Sequence, residues 1–357
     1  MAAVELFGEQ ASPEVSTPTS PLVYIIVLNW NGQHDTLACL KSVQQLRYRN
    51  FRVVVVDNGS SDGSVGAVQA SFPEVEIIAT GSNLGFSGGN NVGIVRGLEH
   101  GADYILLLNN DTVVDPGLLR AFVSAAQREP QAAAFSAKIF FYDEPDRIWY
   151  AGARWDGKAS CFFQVGEGER DDQERFATIS ETAYACGCAF FVSAKRLREI
   201  GLLDEDFFLY FEETDWCYRA RRRGYPSVFV PEAKLWHKVS VSFGGERSPL
   251  ALYFLTRNRL LWARRHAELG TRVRLYARTV GMLARRFLSP LADPRGASSP
   301  RERWWALRSA FRDARNRACL LGAKDFVFGR LGDCPQSVRD LSKRWSTARL
   351  AAEHARA

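Results

Sequence analysis

Apolar strands that alternate with helices and stop on polar clusters constrain this chain more than any other feature. PLVYIIVLNWNG (21–32), FRVVVVDNGSSDGS (51–64) and YILLLNNDT (104–112) each run apolar and β-branched or leucine-rich, then break into Asn, Asp, Gly and Ser. EVEIIAT (74–80) reads as a further strand. Between the first two, DTLACLKSVQQLR (35–47) has Leu37, Leu40, Val43 and Leu46 at three-residue spacing, one face of a helix with Asp35 as its cap. Another helix is expected from about Asn90, after a Gly/Asn-rich loop. Strands apolar on both faces and joined by helices form a parallel sheet covered on both sides. Such sheets bind ligands at the carboxyl ends of their strands. NWNG, DNGSSDGS and NNDT all sit there.

Hydrophobic residues at 46% and charged residues at 24% predict a folded rather than a disordered chain. No run of 18 or more apolar residues occurs, so no spanning helix is expected. The first twenty residues carry acidic groups and no apolar core, and read as a disordered lead-in rather than a signal peptide. Seven scattered Cys predict reduced, mostly buried thiols and a cytoplasmic location. From Glu246 onward there are 24 Lys and Arg against 9 Asp and Glu, whereas the preceding residues are net acidic. Such asymmetry suggests an anionic surface as partner. In RVRLYARTVGMLARRF, Val273, Tyr276, Val280, Leu283 and Phe287 share one helix face, with Arg274, Arg278 and Arg285 nearly opposite. This basic amphipathic helix either packs on the main domain or lies in a membrane surface, with Trp304 and Trp305 nearby favouring the latter. The division expected is a tail (1–20), a catalytic domain (21–245), a basic helical region (246–330) and a C-terminal tail (331–357).

Asp57 ends one strand, where a carboxylate can accept from the N3–H of a pyrimidine ring. TGSNLGFSGGNNVG (80–93) combines glycines, which admit close backbone approach, with Asn83, Asn90 and Asn91. The loop lacks the GKS/T ending of a P-loop, and GxGxxG does not follow the first strand, which disfavours ATPase and dinucleotide functions. Asp111 in NNDT can ligate Mg2+ or Mn2+ together with diphosphate oxygens. In FFLYFEETDWCYRARRRGY (207–225), Glu212, Glu213 and Asp215 open a helix. Acidic residues suit a helix N-terminus, and equally a general base beside a reaction centre. His237 in KLWHKVS is a candidate co-ligand for Asp111.

Together, IIVLNWNG, VVVVDNGSSDGS, SNLGFSGGNN, YILLLNNDT, CGCAFFVSAKRL, FLYFEETDWCYRARRRGY and LWHKVS resemble, in order, the family 2 glycosyltransferases, close to bacterial rhamnosyltransferase-like and galactofuranosyltransferase-like members. The resemblance spans about residues 22 to 242 and continues weakly into LTRNRLLWARR. It implies an α/β GT-A fold, Rossmann-like and mostly parallel, with helices on both faces and a C-terminal basic helical region. It further implies donor contacts from Asn29, Asp57, Asn83, Gly85, Asn90, Asn109 and Asn110, with Asp57 on the base. A divalent cation, Mn2+ or Mg2+, would sit on Asp111 and His237. The metal motif has Asn109 where a first Asp is usual; that position faces the ribose, where an amide can donate and accept. The base falls on Glu213, where many relatives have Asp, with Asp215 and Glu212 as lesser candidates. Cys186, Gly187 and Cys188 would lie near the acceptor.

The implied reaction is inverting transfer from a nucleotide-sugar, dTDP- or UDP-linked and dTDP-rhamnose among them. The acceptor would be a hydroxyl of a glycan or lipid-linked molecule in cell-surface polysaccharide synthesis. The enzyme would work at the inner face of the cell membrane. Two other readings remain at this point. A nucleotidyltransferase shares the nucleotide fold and metal but needs neither EETD nor His237. A non-catalytic nucleotide or nucleic-acid binder would use the basic region, although no RNA- or DNA-binding module is present.

Overall fold

The computed structural model describes residues 20–172, 174–239, 247–288 and 299–354. The expected N-terminal lead-in lies outside them except for Ser20. β1 (Val23–Asn29), β2 (Phe51–Asp57), β3 (Glu76–Ala79) and β4 (Tyr104–Asn109) form a parallel unit in the order β3-β2-β1-β4. Val23, Ile25, Ile26 and Val27 are fully buried, so both faces of β1 are covered. Its helical neighbours are α1 (Gln33–Val43) and α3 (Gly85–Glu99), with α2 (Ser64–Ser71) packed on α1.

Beyond β4 the sheet becomes mixed. β5 (Thr112–Val114), α4 (Leu118–Arg128), β6 (Ala134–Phe141) and β7 (Ile148–Tyr150) precede a separate hairpin, β8 (Ala153–Asp156) with β9 (Cys161–Gln164). Then come β10 (Ser180–Thr182), β11 (Ala189–Ser193), α5 (Ala194–Ile200), α6 (Glu212–Arg221) and β12 (Ser227–His237). β11 enters antiparallel between β4 and β6, and β12 runs parallel to β6. The chain closes with α7 (Pro249–His266), α8 (Leu269–Leu288), α9 (Pro300–Arg312), α10 (Ala314–Val327) and α11 (Gln336–His354). The stretch read as a C-terminal tail is therefore helical, and Val338 of α11 is buried with Tyr253 and Phe254 of α7.

Two local expectations differ from the structure. Helix α3 starts at Gly85 rather than near Asn90, which makes Asn90 a helix-interior residue donating to Phe86 O at 2.9 Å. Asp35 does not cap α1; Gly32 holds that position, and Asp35 instead meets Lys238 Nζ at 2.6 Å. The early start of α3 follows from packing. Gly89, Gly93 and Gly97 recur every four residues and lay the helix directly on the sheet. A Cβ at these positions would lie 2.5 Å from Leu28 Cδ1, Ile26 Cγ2 and Ile105 Cδ1 respectively. Tertiary contact thus outweighs the poor helix propensity of glycine.

The apolar stripe of α8 is only partly used. Leu275, Thr279 and Phe287 are buried, whereas Val273 and Val280 remain 57% and 66% exposed. Arg278 donates to Lys158 O at 2.8 Å, so part of the basic face packs on the β8–β9 turn. No helix among the described residues is long and apolar enough to cross a membrane.

Because Ile26 has no room to move, Gly93→Leu should lower stability by about 2–3 kcal/mol, read as a shift in the urea midpoint at unchanged slope.

Candidate active site

Strand register assembles the first wall of the site. Asn29 pairs with Asp57 across β1–β2, and Leu28 with Asn109 across β1–β4, so the three polar clusters share one rim. Behind that rim lies a hydrogen-bonded web. Asn29 Nδ2 donates to Asp57 Oδ1 at 2.9 Å, and Asn29 Oδ1 accepts from Thr36 Oγ1 at 2.8 Å. Asp57 Oδ2 accepts from the Ser60 N–H at 3.1 Å, and Asn110 Nδ2 donates to Thr36 Oγ1 at 2.9 Å. Asn58, which the sequence reading passed over, fixes the second wall. Its Nδ2 donates to Gly85 O at 3.0 Å, and its Oδ1 accepts from the Leu84 N–H at 2.9 Å. Gly85 has φ +75°, and a Cβ there would lie 2.5 Å from Phe208 O. Only glycine fits this contact.

A second register brings together residues far apart in sequence. β5 pairs antiparallel with the end of β12, setting Thr112 opposite His237, and the Lys238 N–H donates to Asp111 O at 3.0 Å. The two side chains therefore meet, with His237 Nε2 3.1 Å from Asp111 Oδ1. Trp149 packs edge-on to the His237 ring, centroids 4.7 Å apart. Asp111 Oδ1 and His237 Nδ1 are buried without a hydrogen-bond partner.

Asp111, His237, Asn83, Gly85, Asn109, Asn110, Glu212 and Glu213 line one cavity of about 650 Å³. Asn29, Asp57, Asn90 and Asp215 do not line it. Cys186, Gly187 and Cys188 do, beside Glu213: a Cβ on Gly187 would lie 3.8 Å from Glu213 Cδ. Burial pushes the Cys188 thiol well above its ordinary range, which makes it a packing thiol rather than a nucleophile. The far side of the cavity is aromatic, with Phe162, Phe163, Tyr184, Tyr210, Phe211 and Phe254. No periodic signal marks these residues, since they come from β9, loops and α7.

The three acidic residues of α6 have distinct environments. Asp215 is clamped, with Oδ2 accepting from Arg219 Nε at 2.8 Å and Oδ1 lying 2.6 Å from His266 Nε2. Burial acts to raise its pKa, but the His266 hydrogen bond and the Arg219 charge outweigh it and hold the carboxyl below its ordinary range. Glu212 is buried and raised well above the ordinary value, first by desolvation and then by the charge of Glu213. Glu213 lies at the cavity wall with Oε2 shut off from solvent and unpartnered, and burial raises its pKa to about 7.

Two observations bear on whether a cation fits. Adjacent ligands of an octahedral ion lie about 3 Å apart, the separation Asp111 and His237 already have. The lining residues also include the carboxylates Asp111, Glu167, Glu212 and Glu213 against a single Arg or Lys, Arg339, among the described residues. A diphosphate entering such a cavity needs additional positive charge. No group of three or more His, Cys, Asp or Glu able to hold a metal occurs among the described residues. Asp111 and His237 thus fit a partial site, its remaining ligands coming from substrate oxygens and water.

A polar strand-end rim, a carboxylate–imidazole pair and a raised carboxyl on a helix start thus border one cavity, and comparison with known proteins gives the class of protein that carries it. The model of glycosyl transferase family 2 matches residues 24–200. The chain is a glycosyltransferase, and those residues are its family 2 domain. It is 27% identical over 224 residues to an N-acetylglucosaminyl-diphospho-decaprenol L-rhamnosyltransferase of Mycobacterium tuberculosis, covering 57% of this chain and 72% of that protein. It is 24% identical over 253 residues to the dTDP-rhamnosyl transferase RfbF of Shigella flexneri, covering 68% and 80%. In structure it resembles the mannosyltransferase PcManGT from Pyrobaculum calidifontis, solved with GDP-Man and Mn2+. The TM-score is 0.54 at 16% identity, over 88% of this chain and 89% of that one. The fold is GT-A, and the nucleotidyltransferase reading is not favoured.

Titration of the Glu213 carboxyl, followed by carbon-13 NMR, should give a midpoint near 7. A midpoint in the ordinary glutamate range would show that the cavity wall is hydrated.

Proposed function

We propose that the protein is an inverting hexosyltransferase using a dTDP- or UDP-sugar, dTDP-rhamnose foremost, with a glycan or lipid-linked hydroxyl as acceptor. The observation that carries this reading is Glu213 Oε2, buried and unpartnered in the cavity that also holds Asp111 and His237. The rhamnosyltransferase relatives support the donor, and the decaprenol-linked substrate named for one of them supports the acceptor class.

Glu213 removes the proton from the acceptor hydroxyl, and that oxygen attacks the anomeric carbon from the face opposite the nucleotide. The bond to the nucleoside diphosphate breaks in the same displacement, which inverts the configuration. A pKa near working pH suits a base that must accept this proton and later release it. Burial pushes the neighbouring Glu212 carboxyl up, which disfavours a second charge beside Glu213. Asp215 is occupied by Arg219 and His266 and anchors the helix. Asn58, Asn83 and Gly85 bind the nucleoside, and Asn109 and Asn110 its ribose side. Asp57 acts through the Asn29 web, and reaches the base only if that web opens. Asp111 and His237 would hold Mn2+ or Mg2+, whose charge, when bound, offsets that of the departing diphosphate.

The basic C-terminal helices support peripheral attachment to the inner face of the cell membrane. Trp304, Trp305 and Phe311 are about half exposed on α9, and Arg308 lies over both Trp rings. Val273 and Val280 extend the apolar surface on α8. Exposed aromatics beside arginines match an anionic lipid surface.

Glu213→Gln should abolish transfer. At pH 8 it should also raise the melting temperature. The folded-state pKa of Glu213 lies above its unfolded value, so its stabilising contribution is present below the unfolded pKa and lost as pH rises through about 7. Above that pH, Gln removes a buried charge. Asp111→Asn should lower turnover at least about 100-fold and weaken Mn2+-dependent binding of nucleoside diphosphate. Wild-type turnover in either variant would remove the role assigned. For the membrane, a Trp304→Ser, Trp305→Ser, Phe311→Ser triple variant should lose flotation with phosphatidylglycerol vesicles and retain transfer to a soluble acceptor. Flotation equal to wild type would exclude this surface.

A further inference from the structure

The turn that delivers Glu213 is strained, and it is held from α7, some fifty residues further along the chain. Phe208, Tyr210 and Phe211 have φ of +62°, +66° and +76°, a left-handed region that aromatic residues avoid. This reversal places Glu212 and Glu213 at the start of α6, facing the cavity. Such a backbone persists only where its surroundings over-determine it.

Those surroundings are two polar residues in the middle of α7. Asn258 Nδ2 lies 2.8 Å from Phe207 O, 2.7 Å from Leu209 O and 2.8 Å from Tyr210 O. Its two hydrogens are shared among three carbonyls of the turn. Arg257 donates through Nη2 to Asp206 O and Phe207 O at 3.2 and 3.0 Å, and through Nη1 to Gly332 O at 2.6 Å. Its Nε donates to Asn258 Oδ1 at 2.9 Å, which fixes the amide orientation. Both side chains are fully buried, and Arg257 has no ion pair within 4 Å among the described residues. A guanidinium taken out of water and spent on backbone carbonyls is costly unless geometry is what it secures.

The grip extends to both sides of the base. Ahead of it, Arg265 bonds Asp204 at 2.7 Å and Asp206 at 2.5 Å. Behind it, His266 at the end of α7 holds Asp215. The same turn meets the donor wall, where Phe208 O accepts from the Phe86 N–H at 2.6 Å.

We propose that Arg257 and Asn258 are positioning residues for the transfer reaction: from α7 they lock the 206–211 turn in the left-handed form that aims Glu213 into the cavity. This rests on Glu213 being the base. Neither residue touches the reacting atoms. Released, the turn relaxes toward ordinary φ, swings the carboxylate away and admits water to it. Glu212, Tyr184 and Cys217 face Glu213, and none supplies a positive charge. Hydration is therefore what would move its titration.

The test uses the full chain as wild type, Asn258→Ser, Arg257→Lys and Glu213→Gln, with folding checked by circular dichroism. Arg257→Lys keeps the buried charge but loses the fork, and is the milder change should Asn258→Ser fold poorly. Expected for both clamp variants is a fall in kcat of about 100-fold, donor KM within a few-fold of wild type, and an acid limb of the kcat–pH profile displaced below 7. A folded clamp variant with wild-type kcat, or with kcat reduced while the acid limb stays near 7, overturns the proposal. Retained activity in Glu213→Gln would instead remove the base assignment and the proposal with it. An inactive Glu213→Gln beside clamp variants of unaltered pH profile removes the clamp alone.

Discussion

Backbone hydrogen bonds between parallel strands set the positions on which everything else depends. With Asn29 opposite Asp57 and Leu28 opposite Asn109, three strands end together. A slip of one residue along β1 would turn each polar terminus to the other face of the sheet. The antiparallel pairing of β5 with β12 adds a second fixed register, and it joins Asp111 to a histidine far along the chain. Neither side chain needs a loop search to find the other. The carboxylate and the imidazole arrive as a consequence of sheet geometry.

Against that rigid rim stands a wall made from a turn, where positions must be enforced residue by residue. Three acidic side chains occupy the first turn of α6, and burial alone would raise them all. The differences come from partners. Asp215 has side-chain partners on both oxygens, Arg219 and His266, whereas Glu213 has an oxygen with none. One helix start thereby carries a structural carboxylate and a titratable one.

Much of this was legible in the sequence, for definite reasons. Apolar β-branched runs can only be buried strands, and polar residues at their ends can only lie at a sheet rim, so Asn109, Asp111 and the whole parallel unit could be read directly. The start of α3 could not, because Gly89, Gly93 and Gly97 look like a loop until the strand beneath them is known. Asn58 was obscured by Asp57 beside it, since a carboxylate draws the chemical interpretation while the amide makes the contacts to the cavity loop. Arg257 and Asn258 sit in LTRNRL, where the resemblance continues only weakly and no pattern marks either residue as buried. Their burial is set by the turn they grip, some fifty residues earlier. The stripe of α8 shows the converse. Its periodicity was plain, yet only part of it is covered, because the packed face is rotated toward Leu275 and Thr279.

The close approach of α7 to α10 carries a consequence for recombining such enzymes. A Cβ at Gly322 would lie 2.5 Å from Tyr253 O, and Tyr253 Oη donates to Asp325 at 2.9 Å. α7 is thus wedged between the 206–211 turn on one side and the remaining C-terminal helices on the other. A chimaera that exchanges C-terminal regions between related transferases therefore has no neutral seam before α7. A junction there would mate a foreign helix to the native turn, whereas a junction past His266 keeps Arg257 and Asn258 but must restore the close approach at Gly322, the Gly332 carbonyl that Arg257 grips and the packing of Val338 on α7.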